Sequence, residues 1–198
     1  MRKLPDGMRE RVLEAASLIA EHGLDATKME DIAAATGVPK ATLYYHFEGK
    51  EAILAFLFAE IHNELDAAID EAANGPGSAA DRLRAVVVAY LRVVHAFPAA
   101  SRALQFDLGR AARLPTISQR TDAVFLDPVQ ALLVAGAADG SLRPVDHPRL
   151  VATAILGAVV TTGINALTSS AADPRPRTRS VNHVARELTA FILEGVTS

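Results

Sequence analysis

Apolar residues recur at intervals of three and four along almost the whole of this chain, and no apolar/polar alternation runs long enough to make a half-buried strand. Met8, Val12, Ala15, Ala16 and Ile19 fall on one helical face. So do Leu83, Val86, Val87, Tyr90, Leu91 and Val94, and so do Val181, Val184, Ala185, Leu188, Phe191 and Ile192. A chain patterned in this way can bury its stripes only helix against helix. The expected fold class is therefore all-α, with about nine helices.

Glycines, prolines and caps place the breaks. The first helix ends near Gly23. Thr27 and Glu30 stand in capping-box spacing at the start of a second, which Gly37 stops. Pro39 opens a third, its fixed φ already suited to a first turn. A longer helix runs from near Lys50 to about Ala73. Its first half, with Ile53, Leu54, Phe56, Leu57 and Phe58, is apolar nearly all round, so it should touch partners on more than one side. The stretch "NGPGS" then breaks the chain. Ser78 caps the next helix and Pro98 restarts another. Thr116 and Gln119 are spaced as a capping box for a seventh, and Asp127–Pro128 should kink or split it. Turn-rich loops at 137–144 and 169–180 flank the eighth helix. The expected organisation is an N-terminal three-helix helix-turn-helix unit, residues 1–50, joined by the long helix to a C-terminal helical bundle, residues 51–198.

Composition narrows the function. There is no cysteine, which excludes disulfides, thiolate metal sites and cysteine nucleophiles and fits a cytoplasmic protein. The basic N-terminus lacks an apolar region behind it, so no signal peptide is expected. The 18 residues Leu150 to Leu167 carry no charge, enough for a membrane span by length. Their threonines, glycines and Asn165 favour instead a helix buried between other helices. No glycine-elbow serine, phosphate loop or carboxylate cluster suggests catalysis, and the chain is not expected to be an enzyme or to carry a cofactor. His183 with Glu187, and His62 with Asp66, have metal-compatible spacing, but isolated pairs of this kind are ordinary solvated neighbours, and no metal is expected.

Two of the chain's three tyrosines stand side by side in "GVPKATLYYHFEGK". On a helix over 39–47, Leu43 and Phe47 share one face and can pack on Ile32 and Ala33. Lys40, Ala41, Thr42, Tyr44 and Tyr45 take the other faces. An apolar inside and a Lys/Thr/Tyr outside, joined by a tight glycine turn, is the design of a helix-turn-helix. Its second helix can enter the major groove of DNA. Lys40 can then donate to guanine, Thr42 offers a hydroxyl and a methyl, and Ala41 allows close approach. The Tyr44 and Tyr45 hydroxyls can reach phosphates, with Lys50 adding a cation at the start of the next helix. Net charge does not decide the matter: the whole chain is −3, and residues 1–50 hold seven Lys/Arg against eight Asp/Glu. A basic surface needs Arg2, Lys3, Arg9, Arg11, Lys28, Lys40 and Lys50 on one side with the acids turned away. Spacing alone also permits a plain reading, in which the tyrosines are half-buried packing groups.

From Leu13 to Leu54 the chain resembles the TetR (tetracycline-repressor-like) family of bacterial transcription regulators. The resemblance lies in "AASLIAEHGLDATKMEDIAAATGVPKATLYYHF" and "GKEAIL". It departs at Pro39, where the family often has a capping serine, and at Lys28, where a small hydroxyl residue is usual. The resemblance implies a DNA-contacting set of Thr27, Lys28, Lys40, Ala41, Thr42, Tyr44, Tyr45, His46 and Lys50. His46 has an equal claim as an intramolecular hydrogen-bonder at the helix end. The resemblance also implies C-terminal helices that form a homodimer and enclose an effector pocket.

In the uncharged helix Thr153, Gly157, Thr161, Asn165 and Ser169 recur every four residues. This small, slightly polar stripe suits a dimer interface with the last helix, or else Thr161 and Asn165 face the pocket. Polar or aromatic groups on apolar faces make Tyr90, His95, Arg102, Gln105, Phe106, Phe125 and Asn165 the candidate effector residues, for a largely apolar ligand. The expected function is a ligand-responsive homodimeric repressor on a palindromic DNA operator. The alternative is a helical small-molecule-binding protein or enzyme that does not act on DNA.

Overall fold

The computed structural model describes residues 4–5, 7–106, 115–167 and 180–196, without the side chains of 104–106, 115–117, 167 and 196. Every regular element among them is helical: α1 Met8–Leu13, α2 Ala15–His22, α3 Met29–Thr36, α4 Lys40–His46, α5 Lys50–Ala73, α6 Ala79–Ala96, α7 Pro98–Phe106, α8 Pro115–Thr121, a π turn Asp122–Leu126, α9 Asp127–Asp139, α10 Pro148–Leu167 and α11 Val181–Val196. The segments α1 and α2 follow one another through Glu14, which stays in the right-handed helical region, and α8 runs through the π turn into α9. Counted as rods, the described residues therefore make nine helices, in an all-α fold.

The chain falls into two compact units, Met1–Ile61 with Ala99–Ser118, and His62–Pro98 with Gln119–Ser198. The first unit is built on the fully buried side chains of Val12, Ile19, Leu24, Ile32, Leu43, Phe47 and Ile53. Phe47 meets Phe56 edge to face, 5.8 Å between ring centres, so the end of α4 locks onto α5. Along α5, Ile53, Leu54, Phe56, Leu57 and Phe58 are all buried, as expected of a helix covered on several sides; beyond Ile61 and His62 burial narrows to Leu65 and Ile69 on one stripe.

In the second unit α6 packs against α9, α10 and α11. Ser78 caps it with both halves of the box: the Asp81 N–H donates to Ser78 Oγ, and the Ser78 N–H to the Asp81 carboxylate. That carboxyl is held below its usual range by the Ser78 bonds first, and also by Arg84. The break expected at Asp127–Pro128 takes the form of the wide π turn immediately before it. Pro128 lacks an N–H and its ring crowds the carbonyl four residues back, and one widened turn relieves both.

Two sequence expectations are corrected. The box at the start of α3 belongs one residue later: the Lys28 N–H donates to the Asp31 carboxylate at 2.9 Å, while Thr27 Oγ1 donates back to the Gly23 carbonyl at 2.7 Å. Thr27 is engaged in closing the α2–α3 loop and so cannot begin the helix. The uncharged α10 is not buried on all sides. Ala152, Ile155, Val159 and Ile164 face the core, but only 28% of its most apolar window is buried, and Leu150 is 66% exposed. By length and composition, α10 over Pro148–Ala166 and the rod Ser118–Asp139 are long and apolar enough to cross a membrane. The expected capping box at Thr116 lies outside the described side chains.

Candidate nucleic-acid interface

Helix α4 is short and its orientation is set at three points. Gly37, with φ +61°, ends α3 in the left-handed conformation that glycine adopts at no steric cost. A side chain there would also meet Arg11, whose guanidinium donates to the carbonyls of Thr36 and Gly37 and so caps the end of α3. The Pro39 carbonyl accepts from the N–H groups of Thr42 and Leu43 and opens α4. Leu43 and Phe47 then anchor the inner face.

The outer face is the one expected from the spacing. Tyr44 is 50% and Tyr45 62% exposed, and Lys40 and Ala41 are exposed beside them, with Thr42 half-buried. The Lys40 ammonium lies 5.7 Å from the centre of the Tyr44 ring. It also pairs with Glu30 of α3, a bond that lowers the Glu30 carboxyl and raises the Lys40 amine relative to their ordinary values. Lys28 is exposed. His46 is half-buried, and its ring stands edge-on to Tyr45 at 5.0 Å. Its Nδ1 is buried without a hydrogen-bond partner among the described residues.

Two members of the set point elsewhere. Thr27 is 2% exposed, with hydroxyl and N–H both bonded inside the α2–α3 loop, so it presents nothing to a nucleic acid. Lys50 directs its ammonium into the same loop, donating to the carbonyls of Leu24 at 2.7 Å, Asp25 at 3.0 Å and Thr27 at 3.2 Å. These three carbonyls match the three protons of the ammonium, so Lys50 stands in this structure as a loop ligand and not as a free cation. The imagined basic side is thinner for the same reason: Arg9 is paired with Glu60, Arg11 caps α3 and Lys40 holds Glu30. Arg2 and Lys3 lie outside the described residues. The pairings missed from sequence all use long side chains on distant carbonyls or carboxylates, for which no short spacing is a signal.

The effector candidates divide. Tyr90 and Phe125 come together, edge to face at 5.5 Å, and both are buried. Burial alone pushes the Tyr90 phenol far above its ordinary value. His95 is exposed, as is Asn165, which joins Thr153, Gly157 and Thr161 on the open face of α10. Arg102 is half-buried on α7, and the side chains of Gln105 and Phe106 lie outside the described residues. A groove of about 790 Å³ between α5 and α6 is one the sequence did not indicate. Ala68, Ala72, Ala85, Val88 and Ala89 lie along it, with Arg84 and Arg92 among its charged residues. Among the described residues no group of three His, Cys, Asp or Glu side chains could hold a metal. His62 instead bonds Thr121 Oγ1 at 3.1 Å.

This pair of helices, glycine-turned and apolar behind, is a helix-turn-helix module of the kind found in transcription regulators. Residues 13–56 match the model of the bacterial regulatory proteins of the tetR family. The chain is 32% identical over 141 residues to the HTH-type transcriptional repressor KstR2 of Rhodococcus jostii, covering 69% of each protein. Its fold is similar to that of the ketosteroid transcriptional regulator KstR2 of Mycobacterium tuberculosis, with TM-score 0.80, 24% identity and coverage of 98% of this chain and 97% of that one. It is also similar to AibR in complex with isovaleryl coenzyme A and operator DNA, with TM-score 0.75, 23% identity and coverage of 94% and 98%. The chain belongs to the TetR family of bacterial transcription regulators.

Proposed function

We propose that this protein is a ligand-responsive homodimeric repressor, with residues 1–50 reading a palindromic operator and residues 51–198 binding a small effector and pairing the subunits. The observation that carries the reading is the outer face of α4, where Lys40, Ala41, Tyr44 and Tyr45 stand exposed while Leu43 and Phe47 are buried. A helix held by its inner face and carrying hydroxyls and a cation outside suits a DNA groove. Two such heads on a symmetric dimer require half-sites about one helical turn, or a multiple, apart.

Pairing is supported by α10, whose open face offers small residues for close approach, and by Phe191 of α11, 70% exposed. For the effector, the α5–α6 groove supplies an apolar floor, with Arg84 and Arg92 beside the acids Glu64, Glu71 and Asp81. Arg84 is held to Asp81 at 3.0 Å, whereas Arg92 has no bonded partner among the described residues. An apolar body with an anionic end fits these groups, and the coenzyme A thioester bound by AibR has that chemistry.

Mobility shifts with the DNA upstream of the protein's own coding region, against scrambled DNA of equal length, test the reading. A preference for the native sequence at moderate salt, weakened by an acyl-coenzyme A, is the expected result. Equal binding to both DNAs rejects it.

A further inference from the structure

The Lys50 ammonium donates three hydrogen bonds to backbone carbonyls. It sits on the first residue of α5, and the carbonyls, of Leu24, Asp25 and Thr27, lie more than 20 residues earlier in the chain. These carbonyls are not helix ends left open to water. They belong to the loop that turns α2 into α3, and the same loop is closed by the Thr27 N–H on the carbonyls of Gly23 and Leu24 and by the Thr27 hydroxyl on Gly23. Leu24, 1% exposed, fills the space beneath. A compact cation with three donors is the side chain that can satisfy three convergent carbonyls at once; a neutral residue would leave at least one unpaired in a partly buried site, at a cost.

The consequence is mechanical. The loop leads directly into α3 through the Lys28–Asp31 cap, α3 is joined to α4 by the Arg11-capped Gly37 turn, and α4 is locked to α5 through Phe47 and Phe56. Lys50 closes this circuit on the side opposite the Phe47 contact in the chain path. We propose that Lys50 is a positioning residue, and that it ties the start of α5 to the α2–α3 loop so that α3 and α4 follow any displacement of α5. This deepens the repressor reading and rests on it. It assigns Lys50 to coupling and leaves phosphate contact to Lys28, which is exposed and whose ammonium has no bonded partner among the described residues.

The two roles leave different signatures. A lysine on a phosphate contributes about 0.9 to the slope of log affinity against log salt. A lysine on internal carbonyls contributes to the closed state of the loop, read as protection of the Thr27 amide from hydrogen exchange. The full-length protein is compared with Lys50→Met, Lys50→Gln and Lys28→Met, measuring operator affinity across salt concentrations and amide exchange. For Lys50→Met the expected result is Thr27 exchange at least about tenfold faster, weaker operator binding and an unchanged salt slope. Lys50→Gln, which keeps two donors, should fall between, so the test stands even if the methionine variant folds poorly. Lys28→Met should lower the slope by about 0.9 per subunit and leave Thr27 exchange alone. A Lys50→Met protein with the lowered slope and normal Thr27 exchange overturns the proposal. If the unaltered protein shows no operator preference, the repressor reading fails, while the exchange measurement still decides the clamp.

Discussion

Lys40 of the outer α4 face is ion-paired with Glu30 of α3, so the cation best placed to meet a base edge is already held by an acid of the neighbouring helix. Both groups are well exposed, and the pair adds little to folding. Its effect is on what approaches: a polyanion must meet the carboxylate together with the ammonium. Glu30→Gln should therefore strengthen DNA binding and steepen its salt dependence by up to about 0.9 per subunit, as a released lysine becomes a phosphate or base ligand. Titrations of a fluorescent duplex at several salt concentrations measure this, and an unchanged slope refutes it. The pH dependence follows from the sign of the shift. The Lys40 bond depresses the Glu30 carboxyl, so the pair is fully present above the ordinary carboxylate range and is lost only as pH falls through the lowered value. Through the neutral range the pair should leave affinity flat.

The paired tyrosines give a sharper test, because their rings and hydroxyls can be separated. Tyr44→Phe and Tyr45→Phe keep the apolar body and remove one donor each. Both sites are at least half exposed, so thermal stability should stay within about 0.5 kcal/mol of the parent. Loss of a phosphate hydrogen bond should weaken operator binding about threefold to tenfold for each variant, corresponding to a net bond of about 1 kcal/mol. Isothermal titration with the operator duplex reads this directly; equal affinity in both variants would remove the hydroxyls from the contact set.

The division between what was readable and what was not runs along side-chain length. Leu43 and Phe47 inside, with Tyr44 and Tyr45 outside, follow from the helical period, because a seven-residue helix has no other way to bury its leucine. Gly37 was readable because a positive φ between two helices calls for glycine. The destinations of Lys50 and Arg11 were not. Each reaches backbone carbonyls brought near by tertiary folding, and a carbonyl has no residue type to betray it. Thr27 was misassigned by one position for a similar reason: its hydroxyl had a choice between the helix ahead and the loop behind, and the loop won. In the second unit Tyr90 was legible as a polar group on an apolar face, but the α5–α6 groove depends on how two helices diverge, which composition does not encode.

Three glycines separate folding from assembly. A methyl added at Gly136 would lie 2.5 Å from Leu142 Cδ1, and one at Gly163 2.8 Å from Leu91 Cδ2, whereas one at Gly157 meets nothing within 4 Å. Gly136→Ala should therefore destabilise the fold by about 1–3 kcal/mol, the usual cost of forcing volume into a packed contact. Gly163→Ala has a flexible leucine methyl to displace and should cost less. Gly157→Leu should leave the subunit folded by circular dichroism but convert dimers to monomers by light scattering. A Gly157→Leu protein that remains dimeric removes α10 from the proposed interface.

Tyr90 supplies a prediction that needs no ligand. The residue is buried, 5% exposed, and desolvation raises its pKa above the ordinary phenol value of 10.0. A group whose folded pKa is raised contributes its stability in full below the unfolded value and loses it as pH climbs toward the folded one. Stability should thus be independent of Tyr90 up to about pH 10 and decline above it, because the unfolded chain ionises first. Tyr90→Phe removes the titration while keeping the ring on Phe125, so it should stay close to the parent at neutral pH and lack the Tyr90 share of the alkaline loss. Urea unfolding at a series of alkaline pH values distinguishes the two proteins. Parallel declines would mean that the Tyr90 hydroxyl reaches water or a partner, and that the apolar surroundings assigned to it are wrong.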